Sequence, residues 1–165
     1  MLTYWSIDSF EKGIVFELLW RSFKPLMNPE FETKLKQYDK EVFEHTQTVG
    51  ACIFLTRYEN QLIGMASWDP RQFPRAIVGN NCVLPEFQGK GFGKQQMVEL
   101  LRRLRTYDFV EATVTTGDHP FFIPAQKMYL SCGFQEVRRY NEGGDPRYGS
   151  IEYCLVLSSV VERNA

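Results

Sequence analysis

The chain has 165 residues, of which 44% are hydrophobic and 15% aromatic, and its formal net charge is -1. Length and apolar content suit one globular domain spanning residues 1–165, and they exclude a disordered chain. The near-neutral charge excludes nucleic acid as the main partner, and no stretch reaches the roughly 18 apolar residues that a membrane helix needs.

Thr3 to Ile7 reads as a short first strand. Asp8 or Ser9 can cap a helix running to about Phe23, with Phe10, Ile14, Leu18 and Leu19 at helical spacing. Pro25 stops it. Asn28-Pro29 opens a second helix, because Pro is tolerated at the first helical position. Phe31, Leu35, Tyr38 and Val42 form its apolar stripe.

The texture then changes. Ala51–Tyr58 and Gln61–Trp68 are strand-like, and Glu59-Asn60 turns between them as a hairpin. After Asp69-Pro70, a loop containing Pro74 leads to a strand over Ala76–Leu84. A helix from Gly91 to Thr106 places Met97, Leu100, Leu101 and Leu104 on one face. Phe109–Thr115 is β-branched and strand-like. Gly117-Asp118-His119-Pro120 is a loop, and Pro124–Ser131 a short helix ended by Gly133. Phe134–Tyr140 and Ile151–Leu157 are the last strands, joined by the polar stretch Asn141–Gly149. The predicted class is mixed α/β. The strand-helix-strand centred on residues 76–115 should be parallel and the flanking hairpins antiparallel.

The four cysteines, Cys52, Cys82, Cys132 and Cys154, form no close-spaced pair, and the only histidines are His45 and His119. That argues against a zinc site and for free thiols in a reducing compartment. Asp8, Glu11 and Lys12 interrupt any apolar leader at the start, so the expected location is cytoplasmic.

The stretch Gln88-Gly89-Lys90-Gly91-Phe92-Gly93-Lys94 lies where a predicted strand gives way to a helix. A helix start presents unpaired N–H groups and the positive end of the helix dipole. Glycines let that backbone turn tightly and approach an anion, so the arrangement suits a pyrophosphate. A P-loop needs G-x-x-x-x-G-K-[ST]; here the spacing from Gly89 to Gly93 is one residue short and Gln95 stands at the hydroxyl position. A dinucleotide fingerprint needs a third glycine where Gln96 or Lys94 stands. The structural alternative is a plain strand-to-helix turn.

Val83-Leu84-Pro85-Glu86-Phe87-Gln88-Gly89-Lys90-Gly91-Phe92-Gly93 resembles motif A of the GNAT acetyltransferase superfamily, V-x-P-x-x-[RQ]-x-x-G-x-[GA]. Further on, Ala125 to Phe134 is similar to its motif B, A-x-x-x-Y-x-x-x-G-F. The resemblance covers most of the chain. It implies a central, mostly antiparallel sheet with one parallel strand pair splayed at its C-terminal ends, flanked by four helices. It also implies acetyl-CoA as co-substrate, with no metal. The pantetheine arm would pair with backbone groups of Cys82, Val83 and Leu84 like an added strand. The N–H groups of Gln88, Gly89, Lys90, Gly91, Phe92, Gly93 and Lys94 would hold the pyrophosphate.

The implied reaction is direct attack of a primary amine on the acetyl thioester. The N–H of Val83 or Leu84 is the oxyanion donor that the resemblance suggests. Tyr129 stands at the motif-B tyrosine and is the candidate general acid for the CoA sulfur; the alternative is a tyrosine packed on the sheet. Many relatives carry a carboxylate on the strand before motif A, where this chain has Asn80 and Asn81. Many also have an asparagine before motif B, where this chain has Phe121-Phe122-Ile123-Pro124. Candidate bases are Glu111, Asp118 and His119, each with a structural alternative; water relaying the proton would need none. Trp20, Phe23, Tyr38, Trp68 and Phe73 are available to line an acceptor pocket, or to fill the core.

These readings predict an N-acetyltransferase acting on a small-molecule or peptide amine, as a monomer or homodimer. The alternatives are an acyl-CoA-binding regulatory module with little turnover, and an acyltransferase with another donor or acceptor.

Overall fold

A computed structural model describes residues 1–142 and 149–157. The elements appear in the predicted order. They are β1 (Leu2–Trp5), α1 (Ile14–Ser22), α2 (Pro29–Glu44), β2 (Ile53–Tyr58), β3 (Gln61–Asp69) and β4 (Arg75–Val83), followed by α3 (Phe92–Thr106), β5 (Glu111–Gly117), α4 (Ile123–Ser131), β6 (Gln135–Tyr140) and β7 (Ser150–Val156). Most of the Asn141–Gly149 connection lies outside the described residues.

The seven strands form a mixed sheet in the order β1-β2-β3-β4-β5-β7-β6. The parallel pair is β4 with β5, in register from Arg75↔Glu111 to Val78↔Val114. Beyond that last pair β5 keeps its antiparallel ladder with β7 to Gly117↔Ser150, while β4 runs on to Val83. The expected parallel crossover and antiparallel hairpins are therefore present.

The chain divides into two compact units, Met1–Trp68 with Asn80–Gln96, and Asp69–Gly79 with Met97 onward. In the first, Val15, Leu18 and Leu19 of α1 and Leu35 and Val42 of α2 bury against Ile53, Leu55, Met65 and Cys82 of the sheet. Asn28 caps α2 by accepting the Phe31 N–H at 2.8 Å. The β2–β3 hairpin closes at Tyr58↔Gln61.

The start of α1 differs from the sequence expectation. Ser6, not Asp8 or Ser9, caps a short 3-10 turn over Ile7–Ser9. The α-helix begins only at Ile14, after Gly13 at φ 105°. Its cap comes from another helix: the buried Asp39 carboxylate of α2 accepts the N–H groups of Gly13 at 2.9 Å and Phe16 at 3.0 Å. A cap borrowed across 26 residues leaves no local signal.

In the second unit Met97, Leu100, Leu101 and Leu104 of α3 are all buried. So are Ala76 and Val78 of β4 and their register partners Ala112 and Val114 of β5. Gly133 at φ 94° follows α4, as expected.

Candidate active site

The Gly-rich turn is built by a change of backbone direction. β4 ends at Val83, a 3-10 turn occupies Pro85–Phe87, and α3 begins at Phe92. Gly89 and Gly91 take φ 76° and 82°, and a Cβ at either would meet nothing within 4 Å. Glycine is thus required there by the left-handed backbone, not by crowding. The Gln95 N–H bonds to the Gly91 carbonyl at 3.2 Å and opens the helical ladder. The N–H groups of Phe92, Gly93 and Lys94 precede it and have no acceptor within the helix. The first turn carries no acidic residue. Lys90 and Lys94 are exposed beside it.

The turn is braced from both sides. Gln88 Nε2 donates to the Val83 carbonyl at 2.8 Å, and Arg21 Nη2 pairs with Glu86 at 2.5 Å. This is a cradle with directed donors and positive ends, which suits a pyrophosphate.

Neighbouring backbone groups differ in their commitments. The Leu84 N–H donates to the Ile63 carbonyl on β3 at 2.7 Å. The Cys82 carbonyl accepts from Gln96 Nε2 at 3.2 Å. Successive strand residues direct their N–H groups to opposite edges, so that of Val83 points away from β3. Of the two oxyanion candidates, Leu84 is therefore spoken for by the sheet and Val83 is not directed there. The Cys82 thiol is core: burial pushes it up to about 11, with the nearby Ser22 hydroxyl and Met65 backbone opposing.

Sequence reasoning missed the importance of Gln96. Its buried amide donates to the Met65 carbonyl at 2.7 Å and to that of Cys82, and accepts the Thr56 hydroxyl at 2.6 Å. One side chain of α3 thus ties together β2, β3 and β4 at the cradle's base. Gly64 makes room for it, since a Cβ there would lie 2.2 Å from the Cys82 carbonyl oxygen. The available signal was a glutamine one position from Met97 and four before Leu100, on the apolar stripe.

In the second unit Tyr129 is buried on α4, edge-on to Phe134 at 5.6 Å and 5.9 Å from the Tyr153 ring. Gln126 Nε2 bonds the Gly117 carbonyl at 3.0 Å and moors α4 to the end of β5.

The candidate bases are all engaged. Glu111 pairs with Arg75 at 3.1 Å and accepts from the Cys154 thiol at 3.1 Å. It stands at the first residue of β5, the end remote from Gly117. Burial, then the bond to Glu111, pushes the Cys154 thiol up to about 11. His119 Nδ1 accepts the Phe121 N–H at 3.1 Å, capping the 3-10 turn Pro120–Phe122. That bond uses the lone pair of the neutral imidazole and leaves its proton on Nε2. Asp118 is exposed and pairs with Arg139 at 3.1 Å; Arg139 also pairs with Glu136.

The aromatic candidates separate. Trp20, Phe23, Tyr38 and Trp68 belong to the first unit, where Trp68 is buried and Phe23 packs edge-on to Phe31 at 6.1 Å. Phe73 belongs to the second, packed edge-on to Phe109 at 5.2 Å and 58% exposed. Asn80, inside β4, adopts φ 54° and is exposed. Asn81 Oδ1 accepts the Ser67 N–H at 3.3 Å.

A model of the acetyltransferase (GNAT) family matches residues 14–134, from α1 to the end of motif B. The chain belongs to the GNAT acetyltransferase family. It is accordingly an acyltransferase that uses acetyl-CoA.

Three solved structures illustrate the shared GNAT fold. A Desulfovibrio desulfuricans protein of the family has a TM-score of 0.77 at 14% identity, over 96% of this chain and 99% of its own. The ribosomal-protein-S18-alanine N-acetyltransferase of Escherichia coli has 0.73 at 18%, over 97% and 96%. An Elizabethkingia anophelis family member with acetyl-CoA bound has 0.66 at 18%, over 94% and 97%. No curated protein matches the chain in sequence. Among the described residues no cluster of His, Cys, Asp or Glu is placed to hold a metal ion, and no helix is long and apolar enough to cross a membrane.

Proposed function

We propose that this chain moves the acetyl group of acetyl-CoA to a primary amine of a small molecule or peptide, by direct attack in a ternary complex. The observation that carries the reading is the cradle: three leading N–H groups of α3 behind two left-handed glycines, with no acidic residue in the first turn. Acetyl-CoA supplies the activated thioester. The cradle residues Gln88 to Lys94 hold its pyrophosphate, and β4 around Cys82–Leu84 receives its pantetheine arm. The domain is taken as one, residues 1–165.

In the reaction a new N–C bond forms, the C–S bond breaks, and one proton passes from nitrogen to sulfur. The Val83 N–H steadies the oxyanion, since that of Leu84 is held by Ile63. Tyr129 delivers the proton to the departing thiolate, because a phenol remains protonated at neutral pH. For an ammonium acceptor one further proton must leave first. Each of the three candidate bases already has a partner: Asp118, exposed at the end of β5, pairs with Arg139, His119 Nδ1 accepts the Phe121 N–H, and Glu111 is held by Arg75, which favours water as the carrier of that proton. None of the four cysteines is in a disulfide, in keeping with a reducing, cytoplasmic setting. β6 is an edge strand, which allows either a monomer or a homodimer.

A second reading is an acyl-CoA-binding module with little turnover. Asn80 and Asn81 in place of a carboxylate, and the ion-paired state of Glu111 and Asp118, favour it. The test is thiol detection of released CoA with acetyl-CoA and a panel of polyamines, aminoglycosides, amino acids and peptides, beside calorimetric binding of acetyl-CoA. Release with a member of the panel supports acetyl transfer. Tight binding with no release favours the module, and no binding removes both.

A further inference from the structure

Gln96 is a polar side chain in an apolar place. It stands on α3 beside the buried Met97 and is itself 2% exposed. Packing alone would be served there by leucine or methionine. Instead Nε2 of Gln96 donates to two carbonyl oxygens, that of Met65 on β3 at 2.7 Å and that of Cys82 on β4 at 3.2 Å. Its Oε1 accepts from the buried Thr56 hydroxyl at 2.6 Å. Only this orientation of the amide works, since turned over its oxygen would face two carbonyl oxygens. A buried network satisfied in this way is rigid.

The bond to Cys82 reaches further than the carbonyl it holds. The Cys82 carbonyl and the Val83 N–H belong to one planar peptide group, and in a trans peptide the two point in opposite directions. Holding the oxygen toward Gln96 therefore aims the Val83 N–H the other way, away from β3. A hydrogen bond accepted by a peptide carbonyl also polarises the N–H of the same peptide and strengthens it as a donor. The following peptide is held as well. Gln88 Nε2 donates to the Val83 carbonyl at 2.8 Å, and the Leu84 N–H donates to the Ile63 carbonyl at 2.7 Å. Both peptide planes at Val83 are thus set by groups on α3, the Gly-rich turn and β3.

We infer that Gln96 is a positioning residue for the reaction: through the Cys82–Val83 peptide it aims and polarises the Val83 N–H toward the thioester oxygen of acetyl-CoA. This rests on the reading in which that N–H steadies the oxyanion, and it names the side chain that makes the N–H a directed donor.

The test is difference infrared spectroscopy of acetyl-CoA isotope-labelled at the acetyl carbonyl carbon, bound to the full chain without an acceptor. Gln96→Met keeps the bulk of the side chain and removes its N–H groups, while Gln96→Asn keeps an amide and draws it back from Cys82. Val42→Ala, in the core between α2 and the sheet, controls for lost stability alone. In the unsubstituted protein the carbonyl frequency of bound acetyl-CoA should lie below that of free acetyl-CoA, as for any carbonyl that accepts a hydrogen bond. Both Gln96 variants should lose most of that shift. They should also lower kcat about tenfold with an amine that releases CoA, while the acetyl-CoA dissociation constant from calorimetry stays within about twofold. Val42→Ala should lower the melting temperature and keep both the shift and kcat. A folded Gln96 variant that keeps the full shift overturns the inference, and so does Val42→Ala reproducing the loss. No shift in the unsubstituted protein also overturns it, and CoA release by that protein then leaves acetyl transfer standing. Absence of release with every amine overturns acetyl transfer, whereas the infrared shift needs only bound acetyl-CoA and reads the Val83 N–H by itself.

Discussion

Tyr129 shows why a residue's role needs its surroundings as well as its motif. Its ring is buried on α4 against the rings of Phe134 and Tyr153. Removal of that hydroxyl as Tyr129→Phe should lower kcat at least about tenfold, in keeping with the usual worth of a general acid. The dissociation constant of acetyl-CoA, measured by calorimetry, should stay the same. A kcat equal to that of the unsubstituted protein would remove Tyr129 from the chemistry. His119 illustrates the converse: a histidine in a loop invites a catalytic reading, yet its Nδ1 is consumed in capping a turn.

At the scale of elements the decisive piece is the entry to α3. Gly91 stands at φ 82°, where an L side chain costs about 1–2 kcal/mol. Gly91→Ala should therefore lower stability by about that amount in denaturant unfolding, and weaken acetyl-CoA binding by shifting the first N–H groups. Binding that survives intact would show that the cradle is held elsewhere. The same helix carries a pH-sensitive cluster near its C-terminal end. Bonds from Arg102 first, then Arg103, hold the Glu99 carboxyl down at about 2, against an ordinary value of 4.5. A depressed carboxylate gives stability that is fully present above about pH 4.5 and is lost as pH falls through about 2. Glu99→Gln should flatten that acid limb in thermal melts between those limits and leave the neutral region little steeper; an unchanged limb would refute the assignment.

For the whole molecule, a ligand that binds only the folded chain raises its stability by mass action. At about a hundredfold excess of acetyl-CoA over its Kd, the gain is about 2.7 kcal/mol, or about 5–10 °C in melting temperature for a chain of this size. Dephosphorylated pantetheine, which lacks the pyrophosphate, should give a much smaller rise at equal concentration. Equal rises would mean that the cradle contributes nothing.

Much of this was legible in the residues alone. Apolar spacing marked Met97, Leu100, Leu101 and Leu104, and Asn28-Pro29 marked the start of α2, because helical periodicity and side-chain caps act over a few residues and leave their trace in order. The first motif marked the left-handed turn at Gly89 and Gly91 for the same reason: such a turn needs glycine wherever it occurs. Tertiary structure alone decided the start of α1, since its cap is Asp39 on another helix. It alone revealed Gln96, whose partners lie on three strands. Hydrogen bonds satisfied across long stretches of chain are set by packing, and no local rule of composition or period encodes them.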